Sequence, residues 1–588
     1  MLIMEITVKK NTHKISPSLS IKPGRYFFLF LTLFFIIGPQ SCKSKKRPLE
    51  KLIVEVPRQM DDKVKELIST NLNFAISKKG WIDDSLLLWQ LPALSVIYRQ
   101  KTYSPFWSST QKWLPQGDSL LSFIENVKLY GLFPEDYHAP QLKKIKSAFI
   151  TDSLSGNERK DAVLWARADL LLSDALINII HDLKLGRLPQ DSITLRKDSL
   201  LSEEFVKEKF NAIASPLSFD SVISTLEPKH KGYRELKSGI KNFLENADFN
   251  EIPEINFPDS NKTNLKSAVI KRLFALGYVD SASLTPDSSA LAKILIKFQK
   301  EKNLAADGKI GVQTIHELNS SGNEKFKRIA ITLDRYKMLP DELPEKYIWV
   351  NIPSFNLRLI SNDSVIISSR VVVGKPKTRS PVLTSAIYEM ITYPQWTIPQ
   401  SIIVKEILPA LKKNPGYLAK KGFGLFDSKG NGIDPFSVDW TKYNKGVPYR
   451  IIQGSGDDNA LGILKFNFRN KYAVYLHDTN QRFYFGLDSR ALSHGCIRVQ
   501  AWEPMAGYLI KMDAEYSEKN NKKYISADSV HSWLVNKKKH IISLNYKMPL
   551  FIRYFTCEGK NGRIVFFEDI YDEDLELARK MFREKRIG

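Results

Sequence analysis

The spacing of the apolar residues changes near Glu345, and this change limits the architectures that the chain can adopt. From Asp62 to Leu244, apolar residues recur mostly at helical spacing, so that one helix face is shared by Leu172, Ala175 and Ile179. After Glu345, short runs rich in β-branched and aromatic residues are separated by Asn, Pro and Gly, which is typical of strands. The sequence therefore predicts a multidomain α+β protein with a helical N-terminal part and a β-rich C-terminal part.

Length and cysteine content narrow the class of protein further. The chain has 588 residues, of which 43% are hydrophobic, and this excludes a disordered tail protein. Such a length suggests about three to five domains. The three cysteines, Cys42, Cys496 and Cys557, are too few for a disulfide-stapled scaffold, and their spacing fits no zinc finger or ribbon. Each cysteine therefore has its own interpretation, and Cys557, in a strand-like run, is expected to be packed.

The N-terminus has the features of a targeting signal for export. Residues 26–37 form an apolar run in which Thr32 is the single polar residue, preceded by Lys22 and Arg25. This run resembles a secretory signal and is shorter than the roughly 20 apolar residues that a spanning helix needs. An uncleaved signal anchor is the alternative. Cys42 follows the run at the position of the lipidated cysteine in a lipoprotein signal. The alternative interpretation is an ordinary cysteine in a linker. Residues 1–42 are assigned to the signal or membrane anchor.

The charge balance suggests an acidic partner. The formal net charge is +23, and residues 1–41 contain five basic and one acidic side chain, so the remainder keeps +19. For an exported chain this balance favours an anionic polymer of the cell envelope. Nucleic acid is not expected, because no zinc knuckle or basic motif interleaved with aromatic residues occurs. Solvated lysines without a partner are the alternative.

The helical part divides into three predicted segments. Residues 43–250 are expected to form a helical scaffold domain, and nothing in them requires chemistry. Residues 251–322 contain a compact unit over 264–319 whose motif is Leu276-Gly277-Tyr278, Phe298-Gln299, Asp307-Gly308, Gly311 and Thr314. This motif resembles the three-helix peptidoglycan-binding domain, and a helical module without a ligand is the alternative. Residues 323–345 are predicted to be a linker helix.

Two motifs in the C-terminal part carry residues suited to nucleophilic catalysis: Tyr475–Thr479 (YLHDT) and Ser493–Val499 (SHGCIRV). A lone cysteine is a poor nucleophile until a nearby histidine or backbone N–H groups convert it to the thiolate. His477 precedes Cys496 by 19 residues, which is enough for the chain to leave on one strand and return on a neighbouring one. Gly495 allows close approach of the backbone to a substrate, and the amides around Cys496 could form an oxyanion hole.

These motifs resemble the L,D-transpeptidase (YkuD) catalytic domain, in which an upstream histidine is followed by an S/T-H-G-C-x-R segment. Further pieces of the family pattern occur in order at 371–375, 380–382 and 461–466. The resemblance implies a catalytic domain over residues 346–535, completed by a C-terminal strand and helix within 536–588. Residues 401–446, partly helical and rich in Lys, Gly and Asp, are interpreted as an insertion that forms a lid over the site.

The resemblance also implies a role for individual residues. Cys496 would be the nucleophile and His477 the proton acceptor and donor, with the backbone carbonyl of Asp478 orienting His477 and the backbone of Gly495 contributing to the oxyanion hole. Substrate contacts are expected from Ser493, His494 and Arg498. For Arg498, neutralising a substrate carboxylate and holding the loop in place are equally open. No cofactor or metal is expected, because a zinc site of His477, His494 and Cys496 would contain an awkward His-x-Cys chelate.

The function implied by the resemblance is that of a periplasmic enzyme of cell-wall biogenesis, of the large subclass with a helical scaffold. Cys496 would form an acyl-enzyme with a peptidoglycan tetrapeptide, release D-Ala, and pass the acyl group to a second stem as a 3→3 cross-link. Its partners would be stem peptides and glycan, a membrane through the N-terminal lipid or anchor, and further envelope proteins. An L,D-carboxypeptidase with water as acceptor and a non-catalytic wall-binding scaffold are the alternatives.

Overall fold

The computed structural model describes residues 49–587 except for 84–85, 111, 156–159, 190–200, 216–218, 251–252, 258–261, 281–285, 303 and 305. The signal assigned to residues 1–42, including Cys42, lies outside the described residues. Within the described part of the chain, none of the helices combines the length and apolar character needed to cross a bilayer.

The N-terminal part is helical, as its apolar spacing predicts. Its elements are α1 (Met60–Ser77), α2 (Leu91–Gln100), β1 (Ser108–Ser109), β2 (Lys112–Trp113), α3 (Pro115–Glu125), α4 (Ala139–Leu154), α5 (Ala162–Lys184), α6 (Glu203–Ile213), α7 (Phe219–Leu226) and α8 (Lys231–Asn246). Helix α5 is rich in Ala and Leu, lacks Gly and Pro, and is buried along most of its length. The Asp161 side chain caps its N-terminus by accepting the Val163 N–H at 3.0 Å. Helices α1 to α4, α6 and α7 pack around this central helix, whereas the buried residues of α8 belong to a second core.

The next segment contains the three helices that the motif predicts: α9 (Lys262–Ala275), α10 (Ser288–Glu301) and α11 (Val312–Leu318). The motif residues bond to one another. The buried Gln299 side chain donates to Thr314 Oγ1 at 2.9 Å and to Asp307 Oδ1 at 3.1 Å, and its Oε1 accepts the Gly308 N–H at 2.9 Å. These residues therefore close the turn between α10 and α11, and peptidoglycan binding by this unit stays a prediction.

Helix α12 (Gly322–Lys337) lies where a linker helix is predicted. It is buried along most of its length, so it is a core element shared by both parts of the chain. Its Lys337 Nζ donates to the Asp182 carbonyl at 2.8 Å on the helical side, and its Arg328 donates to the Thr556 carbonyl at 2.9 Å on the β-rich side.

The C-terminal part is built on a nine-stranded sheet. The order of its strands is β12 (Ala491–Ser493), β5 (Ser364–Gly374), β13 (Ile497–Val499), β11 (Leu476–His477), β10 (Leu464–Phe468), β6 (Leu383–Thr392), β14 (His540–Arg553), β3 (Lys346–Asn351) and β4 (Asn356–Ser361). Strand β4 also pairs with β5, so the sheet closes on itself. Its core includes residues of α16 (Trp502–Lys519) and α17 (Ala527–Val535).

The segment after residue 535 contributes one strand to the sheet and further elements that pack on the helices α8 and α12. Strand β14 lies inside the sheet, antiparallel to β6 and parallel to β3. The hairpin of β15 (Cys557–Lys560) and β16 (Arg563–Phe566) packs on α8, and α18 (Glu573–Met581) packs on α12. The C-terminal strand therefore completes the sheet as expected, whereas the C-terminal helix belongs to the shared core around α12.

The expected insertion is a small subdomain with its own core. Strands β7 (Trp396–Thr397), β9 (Arg450–Gln453) and β8 (Phe423–Phe426) form a separate sheet. Helix α13 (Gln400–Ile402) continues through a π turn into α14 (Leu408–Lys413), and α15 (Tyr417–Lys420) follows. Leucine and isoleucine side chains pack here around Trp440. Because β7 and β9 pair with each other, the subdomain is wider at both ends than the predicted 401–446.

Candidate active site

His477 lies on β11 and Cys496 lies one residue before β13, and these two strands are parallel neighbours. Their register pairs Leu476 with Ile497, and the Ile497 N–H donates to the Tyr475 carbonyl at 3.1 Å. Cys496, one residue before β13, therefore lies beside Tyr475. Because side chains alternate along a strand, Tyr475 and His477 project from the same face, and their ring centroids are 5.6 Å apart. The chain thus leaves on one strand and returns on its neighbour, as the sequence predicts.

The loop before Cys496 is held by Ser493. The buried Ser493 Oγ accepts the Gly495 N–H at 3.1 Å and donates to the Cys496 carbonyl at 2.6 Å. Gly495 has φ +120°, a conformation that glycine adopts at little cost. The Gly495 N–H is therefore engaged inside the loop, whereas no described residue accepts a hydrogen bond from the Cys496 N–H. The position of Ser493 does not favour its expected contact with substrate, which stays a prediction.

The thiol of Cys496 faces Tyr475 and two cationic side chains. Burial raises the pKa of the Cys496 thiol, and contacts with the Tyr475 backbone and hydroxyl and the charges of Lys465 and Arg498 oppose this rise only in part. Lys465 lies on β10 opposite His477, and its Nζ is 3.9 Å from the centroid of the Tyr475 ring. At neutral pH the resting thiol is therefore protonated and needs a base.

The imidazole of His477 is oriented to act as that base. Its Nδ1 lies 2.5 Å from the Asp478 carbonyl oxygen, the contact that the resemblance implies. A carbonyl oxygen can only accept, so Nδ1 carries the hydrogen in this contact, and the Leu461 carbonyl also interacts with the ring. Burial lowers the pKa of His477 to about 3, and the positive charge of Arg498 acts in the same direction. The ring is therefore neutral at pH 7 and able to take a proton.

The Asp478 side chain supports the neighbouring turn. Its Oδ2 accepts the Ile463 N–H at 3.1 Å and a hydrogen bond from Arg482 at 3.1 Å. Gly462 has φ +64°, and a Cβ at this position would collide with the Asp478 carboxylate. The glycine in the 461–466 pattern is therefore required by the close approach of a carboxylate. The contacts of the Asp478 carboxylate are to this turn, while its backbone carbonyl faces His477.

The other two predicted substrate-binding residues lie at the edge of the site. His494 Nε2 is 2.5 Å from Oε1 of Glu406, which belongs to the inserted subdomain. Arg498 donates to Gln481 at 3.2 Å, and its guanidinium lies 5.1 Å from the Tyr484 ring. Both interpretations of Arg498 stay open, because its guanidinium contacts Gln481 and Tyr484 of the neighbouring loop and has no carboxylate partner among the described residues.

Sequence reasoning missed Tyr475, Lys465 and Glu406 as residues of this site. Tyr475 carried a signal, because it stands two residues before His477 on a strand and so shares its face. Lys465 was noted only as part of a pattern. Glu406 carried no signal, because its contact with His494 spans 88 residues of sequence. Trp396 packs against the core of the subdomain and also bonds to the Tyr475 side chain.

The predicted residues do not gather into a metal site. Within the described part of the chain, no group of three or more His, Cys, Asp and Glu side chains is arranged to hold a metal ion. The zinc alternative of His477, His494 and Cys496 therefore has no ligand set among these residues.

Comparison with known proteins assigns this region to a family. Residues 345–509 match the model of the L,D-transpeptidase catalytic domain. The chain carries an L,D-transpeptidase catalytic domain. Residues 92–239 match the model of a scaffold domain. The recognition of the L,D-transpeptidase family and the multidomain α+β fold class are thereby confirmed. Strand β14 lies beyond the matched residues and yet inside the catalytic sheet.

Part of the chain is similar to proteins of known name. A Haemophilus influenzae protein, named provisionally as an L,D-transpeptidase, is 33% identical over 281 residues, which cover 47% of this chain and 55% of that protein. The chain thus aligns with about half the length of this curated relative. Solved L,D-transpeptidases of Mycobacterium smegmatis and Enterococcus faecium are 12% and 10% identical, with TM-scores of 0.17 and 0.14. The aligned regions cover 36% and 38% of this chain, and 58% and 62% of the two solved chains.

Proposed function

We propose that the chain is a cysteine-dependent peptidoglycan L,D-transpeptidase that forms 3→3 cross-links. The observation that supports this most is the buried His477 ring, whose Nδ1 is held by the Asp478 carbonyl, on the strand next to the one that follows Cys496. A protonated thiol and a neutral imidazole are the starting pair for attack assisted by a general base. The match of residues 345–509 to the L,D-transpeptidase catalytic domain supports the same chemistry.

In the first half of the proposed reaction, His477 Nε2 takes the thiol proton while Cys496 Sγ attacks the carbonyl carbon of the third stem residue. The oxyanion forms near the Cys496 N–H, which has no acceptor among the described residues. The bond from this carbon to the D-Ala nitrogen then breaks, and His477 gives its proton to that nitrogen. The products are a thioester on Cys496 and free D-Ala.

In the second half, the amine of a diamino acid on another stem attacks the thioester. A C–N bond forms, the C–S bond breaks, and the amine proton returns to the sulfur through His477. Arg498 is the proposed partner of a substrate carboxylate, since the described residues offer it none. The inserted subdomain, in contact with the loop through Glu406 and His494, is the proposed lid.

The test is product analysis of the purified protein incubated with disaccharide-tetrapeptide, beside its Cys496→Ala variant. We expect a cross-linked dimer formed with loss of one D-Ala, absent from the variant. Tripeptide alone would instead show an L,D-carboxypeptidase. Absence of any product, together with absence of a carbapenem adduct on Cys496, would reject catalysis and leave a wall-binding scaffold.

We also propose that the chain is exported to the periplasm and held at a membrane through residues 1–42. The apolar run, its basic flank and the position of Cys42 support this. Labelling with a radioactive fatty acid in cells, beside a Cys42→Ala variant, distinguishes lipidation from an uncleaved anchor. A soluble, unlabelled native protein would reject both forms of membrane attachment.

A last proposal concerns residues 251–322 as a peptidoglycan-binding module. The resemblance of their motif supports it, although the motif side chains bond to one another. Sedimentation of the Cys496→Ala variant with purified sacculi tests it, because this variant cannot become covalently attached. If this variant and a second one that also lacks residues 262–318 sediment equally, the module is a spacer.

A further inference from the structure

A chain of buried hydrogen bonds leads from the C-terminal segment to the peptide bond that precedes the sulfur of Cys496. Ser380 Oγ donates to the Gly495 carbonyl at 2.7 Å, and the same Oγ accepts the Gly374 N–H at 2.9 Å. Ser380 is only 3% exposed. Water therefore cannot readily replace this hydroxyl as the partner of the Gly495 carbonyl.

Tyr571 fixes Ser380 from the other side. The Tyr571 hydroxyl accepts the Ser380 N–H at 3.0 Å and donates to the Gly374 carbonyl at 2.7 Å. A single phenol thus ties together the end of β5 and the turn that carries Ser380. Tyr571 is 1% exposed and lies 62 residues beyond the last residue, 509, that matches the catalytic-domain model.

The position of Tyr571 is itself determined by its neighbours. Its backbone N–H donates to the Tyr554 hydroxyl at 2.8 Å, which in turn donates to Asp569 at 2.6 Å. The two tyrosine rings stack with centroids 5.4 Å apart. The other oxygen of Asp569 accepts the Leu575 N–H at 2.9 Å, at the start of α18. The phenol of Tyr571 is therefore held rigidly against the sheet.

The planarity of the peptide bond links the position of the Gly495 carbonyl to the direction of the Cys496 N–H. In a trans peptide the C=O of one residue and the N–H of the next point in opposite directions, so a fixed Gly495 carbonyl fixes the direction of the Cys496 N–H. Glycine populates many backbone conformations, and Gly495 at φ +120° gives little restraint of its own. Ser493 holds the Gly495 N–H and the Cys496 carbonyl on either side of this peptide bond, and the bond from Ser380 holds the Gly495 carbonyl itself.

We propose that Tyr571, acting through Ser380, is a positioning residue that aims the Cys496 N–H at the oxyanion formed during acylation. This inference rests on the proposed function, because it assigns a role within that reaction. Tyr571 does not touch the substrate. Its hydroxyl acts only by holding the peptide plane between Gly495 and Cys496.

The test compares two reactions of the same thiol. Acylation by a carbapenem passes through an oxyanion: Sγ bonds to the β-lactam carbonyl carbon, the ring C–N bond opens, and the nitrogen gains the proton that left the thiol. Alkylation by iodoacetamide displaces iodide and forms no oxyanion. A misdirected Cys496 N–H should therefore slow the first reaction and leave the second unchanged. Both rates are read by intact mass on the full chain, with peptide mapping to Cys496.

The variants are Tyr571→Phe, which keeps the stacked ring, Ser380→Ala, and Ser380→Thr, which keeps a hydroxyl. Loss of one oxyanion-hole donor lowers rates by about 10²–10³-fold, so a misdirected donor should lower acylation at least about tenfold in Tyr571→Phe and Ser380→Ala. Ser380→Thr should retain most of the native rate. The alkylation rate should change less than about twofold in all three variants, because this reaction needs no oxyanion-hole donor.

The matched control is Tyr98→Phe, which removes another buried tyrosine hydroxyl that bonds within the helical part, to Asp169. Its ratio of acylation to alkylation should equal that of the native chain, even if its melting temperature falls. The inference is overturned if Tyr571→Phe and Ser380→Ala keep the native ratio of acylation rate to alkylation rate. It is also overturned if the two rates fall by the same factor in these variants. If Tyr571→Phe does not fold, the Ser380 pair decides alone. A native chain that carbapenem does not acylate overturns the proposed function and this inference with it.

Discussion

At the scale of single residues, Cys496 lies in surroundings that favour the neutral thiol. Burial raises its pKa, while burial lowers the pKa of His477 to about 3. Both shifts oppose a resting ion pair of thiolate and imidazolium. The sequence suggested that a nearby histidine converts the thiol to thiolate, whereas these pKa shifts favour a protonated thiol beside a neutral imidazole at rest.

The pH dependence of alkylation tests this resting state. Because the pKa of Cys496 is raised, the thiolate fraction is small at pH 7, and the iodoacetamide rate should rise about tenfold per pH unit from pH 6 to pH 9. His477 stays neutral above a pH of about 3, so no inflection should appear near 6.5, the ordinary value for histidine. Intact mass with peptide mapping measures the rate at each pH.

Two further measurements make this pH profile decisive. Burial raises the pKa of Cys557 to about 12, and this residue is fully buried, so it should stay unlabelled while the chain is folded. In His477→Gln, alkylation at pH 9 should be retained while carbapenem acylation at pH 7 is lost. A rate that is flat between pH 5 and pH 8 would contradict the neutral pair and indicate a preformed thiolate.

At the scale of elements, the inserted subdomain contacts the loop before Cys496 through Glu406, which lies within the π turn between α13 and α14. The Glu406 carboxylate is 51% exposed and its His494 partner 36%, so the contact is half solvated. Such a half-exposed contact contributes up to about 1 kcal/mol. It can therefore bias the position of the subdomain without locking it.

Glu406→Ala should open the site. Loss of up to about 1 kcal/mol corresponds to an increase of up to about fivefold in the iodoacetamide rate at Cys496, with the melting temperature nearly unchanged. Lys405→Ala is the matched control, because Lys405 is an exposed neighbour on the same turn. Equal rates in both variants and the native chain would show that this contact does not control access to the thiol.

At the scale of the whole molecule, α12 joins the helical and β-rich parts through buried charges. Asp334 bonds to Arg187 at 3.0 Å and to Lys337 at 2.9 Å, and the side chains of Asp334 and Lys337 are fully buried. Although burial alone would raise the pKa of Asp334, these two cations hold it below its ordinary value. The carboxylate therefore stays charged and lies between two buried cationic side chains.

Asp334→Asn should destabilise both parts together. Removing one partner of a buried ion pair costs about 3–5 kcal/mol, because the other charge is left unpaired. Urea unfolding should show this loss equally by far-UV circular dichroism and by labelling of Cys557, whose thiol contacts Thr332 on α12 at 3.3 Å. Asp341→Asn removes the exposed partner of Lys184 and should cost under about 1 kcal/mol. Two separate transitions in the native chain would contradict the shared core.

The sequence by itself determined the features that depend on short stretches of chain. Apolar spacing determines the helical part and the strands, because it follows from the geometry of each element alone. The YLHDT and SHGC motifs identified His477 and Cys496, because residue type and close spacing limit the chemistry. The orientation of His477 by the carbonyl of the next residue is also local, and it was expected.

Only the tertiary structure decided how distant segments meet. The bond from Ser380 to Gly495 spans 115 residues of sequence, and that between Ser380 and Tyr571 spans 191. The burial that shifts the pKa values of Cys496 and His477 likewise depends on everything packed around them. These contacts depend on strand register and domain packing, and the local pattern of a single sequence contains no information on either.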